Sequence, residues 1–408
     1  MTIGRISTAE TFRSAITSVT NAQQFVNRTQ EQLGTGKKIL QPSDDPVAAA
    51  QIESIRNDLS RLDSYAVNTT RADAALSFEE DALSGMEDVL FRVRDLTIQA
   101  QNPALSPQDI NTLGQEVDGL LDQIVSLGNT QNAEGEYIFA GWASTTQPYT
   151  RDASGNVVQN PMQGTRDINI APGLTIQVTD LGSDIFNAEP GNGGFTVAAA
   201  ATNTGSGIVG ATTANASFDK TLEYTVSFQA GPAGQLQWVV DDGTATTSGD
   251  FTPGFPIVFD GGNASITVNG EPAIGDEFVV SGNSFPAPRQ QSVFDTLVEL
   301  RNALLAPNNT TAERAITGTA VAQALENLDG NLDQISLTRT DIGVRLGRIE
   351  QQTRLNENFD VQLQKTLVEL ESLDYAEAIS QLNLQLVALQ AAQQTFVKTT
   401  GISLFNYL

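Results

Sequence analysis

The sequence predicts an α+β protein: a long antiparallel helical rod with coiled-coil terminal helices and an inserted β-rich domain. Three observations indicate this fold class. All fifteen prolines lie between Pro42 and Pro307, so no proline interrupts a helix after that point. Of the 34 glycines, 20 fall between residues 142 and 285. Apolar residues alternate with polar ones inside that segment, whereas outside it they recur every three or four positions.

Each end of the chain carries an amphipathic helix with the 4-3 apolar spacing that is typical of coiled coils. Neither apolar stripe is wide enough to form a core alone, so we expect the two helices to pack against each other. The predicted assembly residues are Phe12, Ile16, Val19, Val26 and Leu33 near the start, and Ile379, Leu382, Leu386, Leu389 and Phe396 near the end. Gln23, Gln30 and Gln393 interrupt these stripes, and either set the helix register or face a water-filled lumen.

Longer apolar patterns on both sides of the insertion predict the rod. A seam runs from Val321 to Leu370, passes through Arg339, and changes phase near Asp374-Tyr375, where we expect a separate helix to begin. The matching seam before the insertion contains Ile52, Ile55, Leu59, Leu62, Ala66, Leu76, Leu83, Met86, Leu90 and Val93. Two shorter helices carry Ile110, Leu113, Val117, Leu120, Ile124 and Leu127, and Val293, Leu297, Leu300 and Leu304.

Helix ends are marked by residues that satisfy unpaired backbone groups. Asp45-Pro46 and Ser106-Pro107 each read as an N-cap followed by the first helical residue. Ser7-x-x-Glu10 and Thr310-x-x-Glu313 have the spacing of capping boxes, and Gly128-Asn129 ends the third helix.

The segment between the helices has the period-two pattern of half-buried strands. Turn signals such as Gly261-Gly262 and Asn269-Gly270 separate its apolar alternations. We therefore divide the chain into three domains: residues 1–42 plus 371–408 as a terminal coiled-coil assembly domain, 43–141 plus 286–370 as a helical rod, and 142–285 as a β-rich variable outer domain.

Composition excludes most kinds of catalysis. The 408 residues include 22 Lys or Arg and 48 Asp or Glu, a net charge of -26, with no His and no Cys. Catalytic triads with His, thiol nucleophiles, Cys/His zinc sites and disulfides are therefore impossible. The negative charge argues against nucleic acid and anionic lipid as partners, and no apolar run is long enough to span a bilayer. We expect no enzymatic activity and no cofactor.

Charge is distributed unevenly along the chain. Residues 1–40 carry five basic and two acidic groups, whereas residues 142–285 carry three basic and 14 acidic groups. The last segment, residues 371–408, carries one basic and three acidic groups, so the two ends together are almost neutral. Near-neutral ends are able to pack densely without repulsion, and the acidic remainder suits a solvated exterior.

Several acidic clusters are open to a chemical interpretation. Asp44-Asp45 is either a carboxylate pair for acid–base or metal chemistry, or a turn with a helix cap, and we favour the cap. Glu79-Glu80-Asp81 and Glu87-Asp88 either bind a cation or form a solvated helix face, and we favour the solvated face. Asp241-Asp242-Gly243 is expected to be a turn rather than a calcium loop.

Tyr137-Ile138-Phe139 is interpreted as a core plug where the rod meets the insertion, with a subunit contact as the alternative.

Five segments resemble the bacterial flagellin superfamily, and within it the hook-associated proteins of the hook–filament junction. They cover both ends and the rod: Arg5 to Thr8, Gly36 to Ala49 (GKKILQPSDDPVAA), Asn132 to Gly141 (NAEGEYIFAG), Ile342 to Glu350 and Asp374 to Ile379. Flagellin itself usually has a different opening and a different run in place of the Pro-Ser-Asp-Asp-Pro segment. This departure favours a junction protein over a filament subunit.

The resemblance implies a structural role. It implies export of an unfolded chain through the flagellar export apparatus without a cleaved signal, consistent with an N-terminus that lacks the apolar region of a signal peptide. It further implies a ring of copies assembled through the terminal helices at the hook–filament junction, secreted and outside the cell. The implied partners are other copies, flagellin, the other hook-associated junction protein, and an export chaperone at the C-terminal helix. The alternatives are a flagellin filament subunit and a glycan-binding or adhesive surface module.

Overall fold

The computed structural model describes residues 8–191, 194–232, 234–285 and 290–405. Helices account for 54% of the chain, with long helices towards both ends and strands in the middle, so the predicted α+β class is confirmed. The chain forms two compact units, Met1–Val67 with Gln352–Leu408, and Asn68–Gln351. We call these the terminal unit and the central unit.

The helices follow the predicted order along the chain. They are α1 (Thr8–Thr35), α2 (Pro46–Ala100), α3 (Pro107–Gly128), the single turn α4 (Gly182–Ile185), α5 (Val293–Leu305), α6 (Thr311–Glu371) and α7 (Tyr375–Phe405). The phase change predicted near Asp374 is confirmed, because α6 ends at Glu371 and α7 begins at Tyr375.

Three of the predicted helix caps are confirmed in the structure. The Asp45 carboxylate accepts hydrogen bonds from the N–H groups of Val47 (3.1 Å) and Ala48 (3.0 Å) at the start of α2. Ser106 and Asp109 form a reciprocal capping box at α3, and Thr310 and Glu313 form another at α6. The predicted box at Ser7 lies outside the described residues.

In the described residues, the strands form two main sheets and three small two-stranded pairs. A five-stranded sheet has the order β10-β9-β8-β13-β6, and a three-stranded sheet has the order β11-β12-β7. The strands of these sheets are β6 (Phe195–Ala199), β7 (Ile208–Ala214), β8 (Glu223–Ala230), β9 (Leu236–Asp241), β10 (Thr246–Asp250), β11 (Pro256–Phe259), β12 (Ala264–Asn269) and β13 (Glu277–Gly282). The small pairs join β1 (Tyr149–Arg151) to β2 (Val157–Gln159), β3 (Asp167–Ala171) to β4 (Leu174–Gln177), and β5 (Asn187–Ala188) to β14 (Gln291–Ser292).

The central unit has two hydrophobic cores. The first joins the helices, and it buries the predicted seam residues Leu76, Leu83, Met86, Leu90, Val93, Val321, Leu328, Leu332, Ile335, Ile342 and Ile349. It also takes in side chains from the first strands, including Ile170 and Ile176. The second core lies between the two main sheets, where Tyr224, Val226 and Phe228 point inward at alternate positions of β8. The division of the chain into three domains stays a prediction.

Paired strands connect the sheets to the helices. Asn187 pairs with Ser292 and Ala188 with Gln291, so the chain enters and leaves the 189–290 segment at adjacent positions. We call the pair of β5 and β14 the neck. Next to it, a cluster of aromatic rings with centroids 4.2–5.8 Å apart is formed by Phe139, Tyr149, Phe186 and Phe294. The prediction of a core plug at Tyr137-Ile138-Phe139 is confirmed for Ile138 and Phe139, which are buried.

Charged residues inside the central unit contradict part of the prediction of a solvated acidic face. Asp81 and Asp88 are exposed, as expected. However, the predicted seam cation Arg339 donates hydrogen bonds to Glu80 (2.6 Å) and to Glu87 of α2. Two acidic positions of α2 therefore neutralise a cation that the apolar seam would otherwise leave unpaired.

Glu79 is the third of these acidic residues, and it is buried. Its carboxylate accepts a hydrogen bond from the Asp180 N–H at 3.2 Å, and Arg345 of α6 forms two hydrogen bonds to Asp180 at 2.8 and 3.0 Å. Burial, and then the nearby negative charge of Asp180, raises the pKa of Glu79 well above its ordinary value. The solvated interpretation is therefore wrong for Glu79, because α2, α6 and the loop after β4 enclose it.

Candidate assembly interface

The terminal helices α1 and α7 pack against each other in antiparallel orientation. The rings of Phe12 and Phe396 lie 5.5 Å apart at one end of the pair. Thr29 donates a hydrogen bond of 2.8 Å to the side-chain oxygen of Gln385 further along. At the other end, the Leu373 N–H donates to the Gly36 carbonyl at 3.0 Å.

The contact faces of the two helices follow a regular 4-3 repeat. The residues of both faces are buried or half-buried. On α1 they are Ala15, Val19, Ala22, Val26, Thr29 and Leu33, and on α7 they are Ala378, Leu382, Gln385, Leu389, Ala392 and Phe396. A 4-3 repeat on both helices is the geometry of a coiled coil, in which one seam faces the partner.

Seven of the ten predicted assembly residues lie at this contact. Val19, Val26, Leu33, Leu382, Leu389 and Phe396 belong to the contact faces, and Phe12 touches Phe396 while remaining 43% exposed. The other three, Ile16, Ile379 and Leu386, point away from the contact and are 42–50% exposed. Their assignment to coiled-coil assembly stays a prediction.

The buried stripe differs from the predicted stripe in the same way on both helices. The prediction found one set of heptad positions, but it placed the other set one residue too far along: 16, 23 and 30 instead of 15, 22 and 29, and 379, 386 and 393 instead of 378, 385 and 392. Sequence reasoning missed these positions because they hold alanine, threonine and glutamine. The exposed Gln23, Gln30 and Gln393 lie outside the α1–α7 seam, and the polar pair within it is Thr29 with Gln385.

The rest of α7 carries apolar residues on every side. Among the described side chains outside its contact face, the exposed large aliphatic residues are Ile379, Leu384, Leu386, Val387 and Val397, all 42–69% exposed. A helix that is apolar all round is normally buried on all sides. The pairing with α1 covers only one stripe of α7, so the structure leaves an extended apolar surface open.

A turn between α1 and α2 is fixed by polar contacts inside the terminal unit. Asp44 accepts hydrogen bonds from the N–H groups of Leu40 (3.0 Å) and Gln41 (3.1 Å) and pairs with Arg28 at 2.7 Å. Burial opposes ionisation of Asp44, but these backbone hydrogen bonds and Arg28 outweigh it and lower the pKa of the carboxyl. The interpretation of Asp44-Asp45 as a turn and a helix cap is confirmed.

Further contacts tie the end of α6 to this turn and bring the first residue of α7 close to it. Glu371 forms ion pairs with Lys37 (3.1 Å) and Arg56 (2.5 Å) at the end of α6. Gly36 has a φ of +68°, and a Cβ at this position would lie 2.8 Å from the Tyr375 hydroxyl. A glycine is therefore required here both for the left-handed backbone and for the approach of Tyr375.

The acidic loop at Asp241-Asp242-Gly243 lies outside this interface. In Asp241-Asp242-Gly243, both carboxylates accept hydrogen bonds from backbone N–H groups of the same turn, as predicted. No group of three or more acidic side chains in the described residues is placed to hold a metal ion. None of the helices in the described part of the chain has a stretch that is both long and apolar enough to span a bilayer.

The fold and the interface define a flagellin-like structural protein of the bacterial flagellum. The sequence model of the bacterial flagellin N-terminal helical region matches residues 6–144. This match includes α1, α2, α3 and the Asn132–Gly141 segment.

The chain belongs to the flagellar hook-associated protein 3 family. It is 31% identical to the flagellar junction protein FlgL of Legionella pneumophila, with a TM-score of 0.70 over 79% of this chain and 100% of that one. It is 27% identical to FlgL of Xanthomonas campestris, with a TM-score of 0.69 over 77% of this chain and 99% of that one. It is 30% identical to flagellar hook-associated protein 3 of Salmonella typhimurium over 188 residues, 46% of this chain.

The matched residues span 58% of the Salmonella protein's length. The family is a structural one, and the flagellum is where its members are found.

Proposed function

We propose that this chain is the structural subunit that joins the hook of the bacterial flagellum to its filament. It assembles as a ring of copies through the terminal helices, and this ring provides the base on which flagellin polymerises. The names of the relatives support the junction role, since they are called hook-associated and junction proteins.

The observation that carries the proposal is the open apolar surface of α7. Five large apolar residues stay exposed after α1 and α7 have paired. Exposed apolar surface on this scale favours association, because burying it contributes about 25 cal/mol per Å². In a ring, the exposed face of α7 is covered by the helices of a neighbouring copy.

The proposed partners follow from this position. The ring contacts the other hook-associated junction protein on the hook side and flagellin on the filament side. Before assembly, an export chaperone covers the apolar surface of α7, and the export apparatus carries the chain out of the cell. The protein is therefore proposed to be secreted and located at the hook–filament junction.

Substitutions on α7 test the assembly role. We expect Leu386→Asp to block assembly on hook stubs while leaving the helix content of the monomer unchanged, because Leu386 lies outside the α1–α7 contact. Leu389→Asp places a charge in the contact itself, so we expect it to reduce helix content as well. Gln24→Asp, which adds the same charge to an exposed polar position of α1, is the control and should assemble normally.

The measurements are far-ultraviolet circular dichroism and the binding of purified protein to isolated hooks. Normal assembly of the Leu386→Asp variant would contradict the proposal.

A deletion strain tests the position in the flagellum. We expect loss of the filament, with flagellin monomers released into the medium, because export continues while the base for polymerisation is missing. Loss of the filament without extracellular flagellin would instead identify the chain as the filament subunit.

A further inference from the structure

The α1–α7 pair has two lateral sides, one on each flank of the contact between the helices. In heptad notation, the contact residues occupy positions a and d: Val26 and Leu389 lie at a, and Thr29 and Gln385 at d. Positions e and g lie next to this contact. Because the helices are antiparallel, the e positions of both helices lie on one side of the pair and the g positions of both on the other. We call these the e side and the g side.

Both lateral sides are free of charge. On the e side, the residues are Ile16, Gln23, Gln30, Ile379, Leu386 and Gln393. On the g side, the residues are Thr11, Ser18, Phe25, Gln32, Gln381, Ala388 and Thr395. All of these side chains are exposed except Gln32, which is half-buried. A two-stranded coiled coil in water usually carries charged residues at e and g, so this pair has the composition of one whose flanks are covered.

The charged residues of the two helices occupy other positions. Within Thr8–Thr35 and Tyr375–Phe405 they are Glu10, Arg13, Arg28, Glu31, Glu377 and Lys398. All of them lie at positions b, c or f, which point away from the partner helix. The chain as a whole has a net charge of -26, so this segregation is not a consequence of a low charge content. Depletion of charge is the compositional mark of the buried part of a protein interface, and both lateral sides show it.

The two lateral sides differ in the size of their side chains. The e side carries the branched aliphatic residues Ile16, Ile379 and Leu386, which are 42–50% exposed. On the g side, Ala388 leaves a low surface on α7, and Phe25 of α1 is 56% exposed. A contact between an e side and a g side therefore places large aliphatic side chains against a low surface, whereas two e sides would bring large residues against each other.

Contact between unlike sides also has the symmetry that a ring requires. A contact of one side with the same side of another copy is two-fold and ends at two copies. A contact of the e side with the g side of the next copy leaves one side of each type open, so it repeats in one direction and closes into a ring.

We propose that the e side of one copy packs against the g side of the next copy, so that α7 lies along α7 of its neighbour and α1 along α1. The inference rests on the proposed function, and it names the two surfaces through which the ring assembles. The partner is a second copy of this chain.

Cross-linking tests the contact directly, because the natural chain has no cysteine. In full-length protein, Leu386→Cys places a thiol on the e side. Three separate variants, Gln381→Cys, Ala388→Cys and Thr395→Cys, place one on the g side at levels about 10 Å apart. Each g-side variant is mixed with Leu386→Cys, assembled on isolated hooks and treated with a short bis-maleimide. We expect at least one mixture to give cross-linked pairs of chains on a denaturing gel, and no single variant alone to do so.

The matched control is Gln394→Cys, an exposed position f of the same helix that points away from both lateral sides. We expect no cross-linked pairs when it is mixed with Leu386→Cys.

A charge on the g side provides a second test. We expect Ala388→Arg to raise the concentration needed for assembly at least about tenfold, because an unpaired charge would be buried against the neighbouring copy. The helix content of the monomer should stay unchanged, since Ala388 is exposed and lies outside the a and d positions. Gln394→Arg adds the same charge at position f and should assemble normally.

The outcomes separate this contact from the junction role. Assembly on hooks without cross-links between the two sides at any level would overturn the lateral contact and leave the proposed function standing. Pairs formed by Leu386→Cys alone would mean that like sides meet, and would overturn it as well. Cross-links between the two sides in protein that does not bind hooks would support the lateral contact while the junction role fails. Protein that neither binds hooks nor cross-links would refute both.

Discussion

Thr29 of α1 donates a hydrogen bond of 2.8 Å to Gln385 of α7, in a seam whose adjacent contact positions are apolar: Val26, Leu33, Leu382 and Leu389. Thr29 is 3% exposed, so its hydroxyl has little access to water. A single polar pair in a coiled-coil seam specifies the register, because any shift of one helix leaves both groups without a partner.

This pair gives the first prediction. Thr29→Val keeps the shape of the side chain but removes the donor, and we expect it to destabilise the α1–α7 pair by about 1 kcal/mol. Faster amide hydrogen exchange in α7 would show the effect. Thr17→Val is the control, because Thr17 bonds only the Arg13 carbonyl of its own helix. Equal exchange in the two variants would mean that the Thr29 hydroxyl contributes nothing to pairing.

The second prediction concerns Arg339, which occupies an apolar seam position of α6. Removing it by Arg339→Ala leaves Glu80 and Glu87, two turns apart on α2, without a cation between them. We expect the free energy of unfolding to fall by roughly 1–3 kcal/mol, less than for a fully buried pair. Denaturant unfolding of the whole chain measures this loss. The Arg92–Glu116 pair, which is more exposed, provides the control. Arg92→Ala should cost below about 1 kcal/mol, and a similar cost for both variants would count against a special role for the seam cation.

The third prediction compares two glycines on the same helix. A Cβ at Gly114 would lie 2.9 Å from the Leu305 side chain and 3.1 Å from Leu304, whereas a Cβ at Gly119 would meet nothing within 4 Å. We expect Gly114→Ala to destabilise the central unit by roughly 1–3 kcal/mol, because it forces α3 away from α5. Gly119→Ala should stabilise it by about 0.5–1 kcal/mol through helix propensity. If both substitutions shift the melting temperature in the same direction, α5 accommodates the added methyl group at position 114 and the expected clash is absent.

The fourth prediction is a pH dependence set by Glu79. Burial raises the pKa of this carboxyl well above 4.5, and the charge of Asp180 adds to the effect, while Arg345 opposes it. The folded state therefore holds the proton more tightly than the unfolded state. The contribution of Glu79 to the free energy of unfolding is therefore fully present below about pH 4.5. It is lost as the pH rises through the pKa of Glu79 in the folded state.

Glu79→Gln isolates this contribution, because glutamine is neutral at every pH. We expect the variant to gain stability relative to the natural chain as the pH rises from 5 to 8, measured by thermal unfolding followed with near-ultraviolet circular dichroism. Asp81→Asn, an exposed position on the same helix, should follow the natural chain. A difference between Glu79→Gln and the natural chain that does not change with pH would refute the assignment.

Much of the helical architecture could be predicted from the sequence, because it depends on local signals. Long proline-free stretches with 3.5-residue spacing, and caps such as Asp45 and Ser106, act within a few residues of where they stand. The seam of the terminal helices was predicted only in part. Ala22 and Ala392 belong to the seam because the partner helix approaches closely there, and the sequence of one helix alone does not show this approach.

The other features that escaped prediction depend on residues far apart in the chain. In the sequence, Glu79 belongs to an acidic run of the kind that is usually solvated. In the fold, it is buried beside Asp180 and Arg345. The alternating pattern located the strands, but their order in the sheets places β13 between β8 and β6, and this pairing is not local.

The paired strands β5 and β14 make the 189–290 segment exchangeable. The Cα atoms of antiparallel partners lie about 5 Å apart. Any domain whose two termini lie at that spacing therefore fits between β5 and β14 without a change in the path of the helices. Contacts with α6 would be given up in such an exchange, among them Val197 with Gln323, Thr212 with Glu326, and Ile208 with Gly318. The neck therefore serves as a ready graft site, through which insertions of different size and chemistry become compatible with one unchanged helical frame.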